Sequence, residues 1–253
     1  MIHLFALLSL LLCGVCYTGF QNSSHFRNTG SRRSLLLVVF GGALLLRLLL
    51  AYTTHGFSND IACFAAWADR IFTLGPGQFY SAEMFTDYPP GFMYVLYLIG
   101  ALRSLLQIPY YSDLHILLLK LPAILCDIAC GFLLYREAVK RLHFSDLQGI
   151  FAASAYLFQP AVILNSSCWG QVDSVYTLMI ILMCLFLMKG NLLPAYAVYG
   201  LGVLLKPQML IFTPVLLAGI WDHVFLQDFS WRKFFYNLCG GLVVICGMLL
   251  LCA

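Results

Sequence analysis

The sequence predicts an all-α membrane protein, a polytopic bundle of transmembrane helices. Of its 253 residues, 62% are apolar and only 10% are charged, whereas soluble domains carry about 25% charged residues. Apolar runs near the roughly 20 residues that a spanning helix needs recur along the whole chain. The basic residues are scattered over short loops and do not form one face, so a nucleic-acid partner is not expected.

Eight apolar segments are predicted to span the membrane. They cover residues 2–19, 34–52, 115–134, 147–164, 174–188, 191–205, 207–221 and 235–253. The first has the hydrophobicity of a signal peptide, but it lacks a basic start and a good cleavage site, so we expect it to be retained. The sequence stops inside the last apolar run, and we therefore expect it to be truncated there.

The apolar run at 91–106 decides the topology. If it spans, the basic loop at 135–146 falls outside. If it lies in the interface or re-enters, nine of the fourteen Lys and Arg residues face the cytoplasm, as the positive-inside rule favours. We therefore adopt the second arrangement. It places residues 53–112 outside, with six of the eleven acidic residues on that side: Asp60, Asp69, Glu83, Asp87, Asp113 and Asp173.

The first outer loop begins with an amphipathic helical pattern directly after a predicted span. Ile61, Phe64, Ala65, Ile71 and Phe72 share one face, which predicts a helix lying on the membrane surface. Two hypotheses explain Asp60 at its start. The residue can belong to the N-terminal cap, where its charge complements the helix dipole, or its carboxylate can serve as a general base for an acceptor hydroxyl.

Polar residues at membrane depth are costly and are candidates for function. Arg47 and Asp127 both lie inside predicted spans, which favours an ion pair that neutralises both. Lys120 and Lys206 are predicted near the outer ends of their helices. There they can bind a lipid phosphate or reach the headgroups by simple snorkelling.

Two further outer motifs carry polar and aromatic residues. "FTDYPPGF" is certainly a turn, and Asp87 and Tyr88 within it are candidates to line a cavity. "SSCWGQVDS" places Trp169, Gln171 and Asp173 at the outer mouth between two spans. Cys63 and Cys168 are the two cysteines predicted outside, so one disulfide bond is compatible with the sequence. No convergent ligand set predicts a metal site.

Taken in order, the outer Asp60, "DYPPGF", "WGQVDS" and "LLKPQ" resemble the GT-C superfamily of integral-membrane glycosyltransferases. The likeness covers roughly 34–221 and is nearest to polyprenyl-phosphate-sugar-dependent enzymes similar to bacterial GPI-mannosyltransferase-like proteins. It implies three segments: an N-terminal helix and loop at 1–33, a catalytic transmembrane module at 34–221, and a loop with the start of a further helix at 222–253.

The resemblance also implies roles for individual residues. Asp60 would be the catalytic base, and Lys206 with Lys120 would hold the donor phosphate. The pocket would be lined by Asp87, Tyr88, Trp169, Gln171, Asp173 and Gln208. The donor would be a polyprenyl-phosphate hexose, with mannose expected. The acceptor would be a glycan, lipid or protein hydroxyl, and the site would face outside a bacterial plasma membrane. No Asp-Glu or D-x-D pair stands at Asp60, so metal dependence is left open.

Two other classes of protein compete with this interpretation. A flippase or transporter of lipid-linked sugars would also carry intramembrane charge and basic phosphate sites, but the paired repeats typical of transporters are not found. A non-catalytic scaffold would not need acidic and aromatic residues concentrated on one side of the membrane.

Overall fold

The computed structural model describes residues 10, 14, 17, 29–81, 85–227 and 229–252, and all regular elements among them are helical. This confirms the all-α prediction for those residues. In chain order the helices are α1 (Thr29–Thr53), α2 (Ser58–Leu74), α3 (Pro90–Leu105), α4 (Asp113–Lys140), α5 (Asp146–Leu157), α6 (Pro160–Trp169), α7 (Asp173–Met188), α8 (Leu192–Leu205), α9 (Pro207–Leu226) and α10 (Trp231–Cys252).

Three of the described helices are long and apolar enough to cross a membrane: α1 from Arg32 onward, α4 and α9. The pair α5 and α6 passes the same test as one broken span bent by 51°. The bend replaces the straight span predicted at 147–164. It falls at Pro160, because proline lacks an N–H and disfavours helical backbone at the preceding Gln159.

The remaining predicted spans have different outcomes. Segments 174–188 and 191–205 form α7 and α8, of 16 and 14 residues. At about 1.5 Å per residue, neither matches a hydrocarbon core of about 30 Å. Segment 235–253 forms α10 as far as Cys252, and segment 2–19 lies outside the described residues except 10, 14 and 17. The structure thus supports three or four spans where the sequence predicts eight, because apolar composition does not show where turns shorten a helix.

The helices form two compact units, which are described separately. The first contains 1–63 and 109–174, where α1 packs against α4, α5 and α6, and α4 packs against α5. The second contains 64–108 and 175–253, where α8 packs against α3, α9 and α10. The three functional segments inferred from the sequence concern activity and stay a prediction.

Contacts at both ends of the first unit show that α1 and α4 are antiparallel. Near the start of α1, Arg32 pairs with Asp146 of α5 at 2.6 Å. At the other end, Lys120 of α4 bonds to Thr54, directly after α1. The basic loop that joins α4 to α5 therefore lies at the same end as the start of α1. This agrees with the arrangement in which 91–106 does not cross the membrane alone.

The apolar face of α2 is buried in protein. Ile61, Phe64, Ala65 and Ile71 are at most 2% exposed. An added Cβ atom on Gly100 of α3 would lie 2.5 Å from the carbonyl oxygen of Ala68, so these two helices are in close contact. The predicted surface position of α2 on the membrane is therefore not supported, because apolar periodicity is the same for a face buried in protein and one buried in lipid.

Candidate functional site

Asp60 lies just beyond the end of a candidate spanning helix. Only the link 54–57 separates α1 from α2, and Asp60 is in the first turn of α2. The backbone N–H of Ile61 donates to the Phe57 carbonyl at 3.1 Å, which closes this turn. The position agrees with both hypotheses for Asp60, since a carboxylate there complements the helix dipole and is also available for chemistry.

The Asp60 carboxylate is oriented by side chains from the second outer motif. Its Oδ2 atom accepts a hydrogen bond from Trp169 Nε1 at 3.1 Å and another from Gln171 Nε2. Both donors are neutral, and the carboxylate stays partly exposed. An ionised carboxylate held in this way is a fixed proton acceptor at the end of α1, the requirement for general-base chemistry on a hydroxyl.

Gly170 and Gly56 allow the loop of Trp169 and Gln171 to approach α2. Gly170 has φ 89°, and an added Cβ atom there would lie 2.6 Å from Cδ1 of Ile61. Gly56 has φ 80°, and its added Cβ would lie 2.7 Å from the Trp169 carbonyl oxygen. Positive φ and lack of space both favour glycine. The sequence analysis did not identify these two glycines, although "WGQ" contains one of them.

Lys120 binds the C-terminal end of α1. It is fully buried, and its Nζ donates to the carbonyl oxygens of Thr54 at 2.6 Å and Ala51 at 3.2 Å, and to Thr54 Oγ1 at 3.1 Å. The last carbonyls of a helix lack intrahelical donors and favour a cation. Lys120 therefore fixes the end of α1 that precedes Asp60. Its role at a donor phosphate stays a prediction that these contacts do not favour.

Arg47 and Asp127 form the predicted ion pair, with Arg47 Nε 3.2 Å from Asp127 Oδ2 and both side chains fully buried. Asp127 also accepts hydrogen bonds from Ser166 at 2.6 Å, Ser174 at 2.5 Å and Tyr156 at 3.2 Å. A second guanidinium nitrogen of Arg47 donates to the Leu157 carbonyl at 2.7 Å. This network joins α1, α4, α5, α6 and α7 through groups that are paired, so we assign it a structural role.

In the second unit, the "DYPP" and "LKP" motifs meet. Lys206, directly after α8, is 7% exposed, and its Nζ lies 5.8 Å from the ring centroid of Tyr88 and 5.7 Å from that of Tyr176. An added Cβ atom on Gly91 would lie 2.6 Å from the Leu204 carbonyl oxygen, so α3 begins against the end of α8. A cation set between two aromatic faces is held in place and suits an anionic ligand.

Tyr88 is held by an aromatic cluster. Its ring centroid lies 5.5 Å from that of Phe64, 5.4 Å from Phe92 and 5.8 Å from Trp67. Tyr176 was missed by the sequence analysis. Its place one helical turn after Asp173 was the available signal, because residues three apart lie on one helix face.

The remaining predicted site residues are less closely associated. Asp173, in the first turn of α7, accepts a hydrogen bond from Asn165 Nδ2 at 2.9 Å. Asp87 and Gln208 are exposed. Cys63 and Cys168 are both present as thiols, so the disulfide that the sequence allowed is absent. Within the described ranges, no group of three or more His, Cys, Asp or Glu side chains is arranged to hold a metal ion.

Comparison with known proteins does not assign the chain to a family. No protein-family model matches it, and no curated protein is significantly similar to it in sequence.

Proposed function

We propose that the chain is a membrane glycosyltransferase that transfers a hexose, expected to be mannose, from a polyprenyl phosphate to an acceptor hydroxyl. Transfer is proposed to occur at the outer face of the membrane with inversion at the anomeric carbon. The observation that carries the proposal is the Asp60 carboxylate, which is oriented by Trp169 and Gln171 at the end of a candidate spanning helix.

In the proposed reaction, Asp60 accepts the proton of the acceptor hydroxyl while that oxygen attacks the anomeric carbon. The bond from the anomeric carbon to the donor oxygen breaks, and the polyprenyl phosphate leaves with the electron pair. Lys206 would stabilise the negative charge of this phosphate. Its nearly buried ammonium between Tyr88 and Tyr176 supports that assignment.

The test uses the full chain in proteoliposomes with radiolabelled polyprenyl-phosphate mannose or glucose and a membrane extract as acceptor. Asp60→Asn keeps the shape and a hydrogen-bond acceptor but removes the base, so we expect transfer to fall at least about a hundredfold. Asp113→Asn is the matched control, since Asp113 is an exposed acid in the first turn of α4.

Equal transfer by wild type and Asp60→Asn, with donor binding unchanged, would remove Asp60 from the mechanism. If labelled donor crosses the bilayer without any transfer, the chain is a flippase and the proposal fails.

A further inference from the structure

A polar cavity lies at one end of the second unit, where α8 and α10 begin. It has a volume of about 980 Å³ and is lined by side chains that include Asn191, Gln227, Arg232, Lys233, Tyr236 and Asn237. Of the described residues that line it, two are basic and none is acidic; Asp228 lies outside the described residues. Two cations with amide and hydroxyl donors suit a phosphate group.

An apolar groove continues from this cavity along α10. It has a volume of about 350 Å³ and is lined by side chains that include Leu217, Ile220, Phe234, Leu238, Leu242 and Ile245. Asn237 lines both the cavity and the groove. Positions 234, 238, 242 and 245 recur at helical spacing, so one face of α10 forms an apolar wall along successive turns.

The polarity of the two spaces matches a membrane lipid. Lys233 and Arg232 lie at the start of α10, beside Trp231, which is 66% exposed, and Tyr236, which is 61% exposed. Exposed Trp and Tyr side chains mark the headgroup level of a bilayer. The groove then runs from that level along a helix that is apolar over its remaining turns. A phosphate end followed by a hydrocarbon end is the order of groups in a phospholipid.

The site lies at the opposite end of α8 from Lys206. Asn191 and Leu192 at the start of this 14-residue helix line the cavity, whereas Lys206 follows its last residue. The helix alone separates the two ends by roughly 20 Å. The cavity is therefore distinct from the proposed donor-phosphate position and does not depend on the proposed glycosyltransferase activity.

We propose that this cavity and groove bind one anionic phospholipid. Its phosphate would lie between Arg232 and Lys233, and one acyl chain would lie against Phe234, Leu238 and Leu242. Basic pockets between membrane helices recognise anionic lipid headgroups in this way. Net negative charge at the headgroup is required to complement the two cations, so phosphatidylglycerol is favoured over phosphatidylcholine.

The experiment is native mass spectrometry of the full chain in detergent, titrated with phosphatidylglycerol, phosphatidylcholine or inorganic phosphate. We expect one phosphatidylglycerol per chain, bound at least tenfold more tightly than phosphatidylcholine, with no competition from millimolar inorganic phosphate. Arg232→Gln with Lys233→Gln should abolish the preference for phosphatidylglycerol. Both side chains are exposed, so the fold should be kept, and Lys140→Gln controls for loss of an exposed cation.

The groove is tested with two glycines of α10. An added Cβ atom meets nothing within 4 Å at either Gly241 or Gly247, but only Gly241 lines the groove. Gly241→Leu should weaken both lipids about tenfold, and Gly247→Leu should bind them as wild type does.

Each of the other outcomes overturns the proposal. Equal affinity for the two lipids in wild type would exclude an anionic headgroup site. Unchanged binding in the basic double variant or in Gly241→Leu would place the lipid elsewhere. Full competition by inorganic phosphate would indicate a site for free phosphate. Dimers that Gly241→Leu dissociates, without retained lipid, would show that a second copy of the chain covers the groove.

Discussion

The Nζ atom of Lys120 donates a hydrogen bond of 2.6 Å to the carbonyl oxygen of Thr54, 66 positions earlier in the chain. Together with its bonds to the Ala51 carbonyl and Thr54 Oγ1, this contact fixes the end of α1. The link from α1 to Asp60 is short, so the position of the proposed base depends on this cap. The two buried lysines thus differ in their surroundings, which leads to different predictions for them.

Lys120→Met should lower the stability of the chain. The substitution leaves two carbonyl oxygens and a hydroxyl without their buried donor, at a cost on the order of 3 kcal/mol. The measurement is the unfolding midpoint in detergent, with Lys140→Met as the control because Lys140 is exposed. If Lys120→Met keeps wild-type stability but loses donor binding, Lys120 is a phosphate ligand and its assignment as a cap fails.

Lys206→Met should impair donor binding more than stability. Removing a cation that pairs with a phosphate costs about 1.5–3 kcal/mol, so we expect the KM for the polyprenyl-phosphate sugar to rise at least about tenfold. Tyr88→Leu should have a smaller effect, since a cation–π contact contributes roughly 0.5–2 kcal/mol. An unchanged KM in Lys206→Met, with kcat also unchanged, would contradict the role proposed for Lys206.

Asp127→Asn should destabilise the first unit by about 3–5 kcal/mol, because it leaves the buried Arg47 guanidinium without its counter-charge. Adding Arg47→Met should recover part of this loss. A double-mutant cycle on thermal unfolding in nanodiscs measures the coupling between the two residues. Strictly additive single effects would mean that the ion pair does not stabilise the fold.

Gly170→Ala should reduce activity by displacing Trp169 and Gln171 from Asp60. The new methyl group meets Ile61 and is also placed on a residue with φ 89°. Gly75→Ala is a matched control, since Gly75 has φ 84° but nothing lies within 4 Å of its added Cβ atom. Both variants carry backbone strain of about 1–2 kcal/mol.

The glycosyl-transfer assay separates these two effects. Only Gly170→Ala should lose transfer activity, by about tenfold or more, while the unfolding midpoints of the two variants should be similar. Equal transfer by both variants would show that contact between the "WGQ" loop and Asp60 is not needed for the reaction.

The sequence located parts of the site because its motifs combine unusual residues with helix boundaries. "SND" predicted the start of α2, and the proline pair Pro89 and Pro90 predicted the entry to α3, since proline favours the first position of a helix. The ion pair of Arg47 and Asp127 was also predicted, because two opposite charges inside apolar segments have few other ways to be neutralised.

By itself, the sequence determined that the chain is helical and rich in segments suited to a membrane, because long apolar runs must satisfy their backbone hydrogen bonds internally. Only the tertiary structure decided that Lys120 caps α1, that Tyr176 joins Tyr88 at Lys206, and that Trp169 reaches Asp60 across 109 positions. It also decided that the apolar face of α2 is buried in protein. Such contacts depend on helix lengths, bends and glycine-permitted approaches, and the period of a sequence pattern carries none of that information.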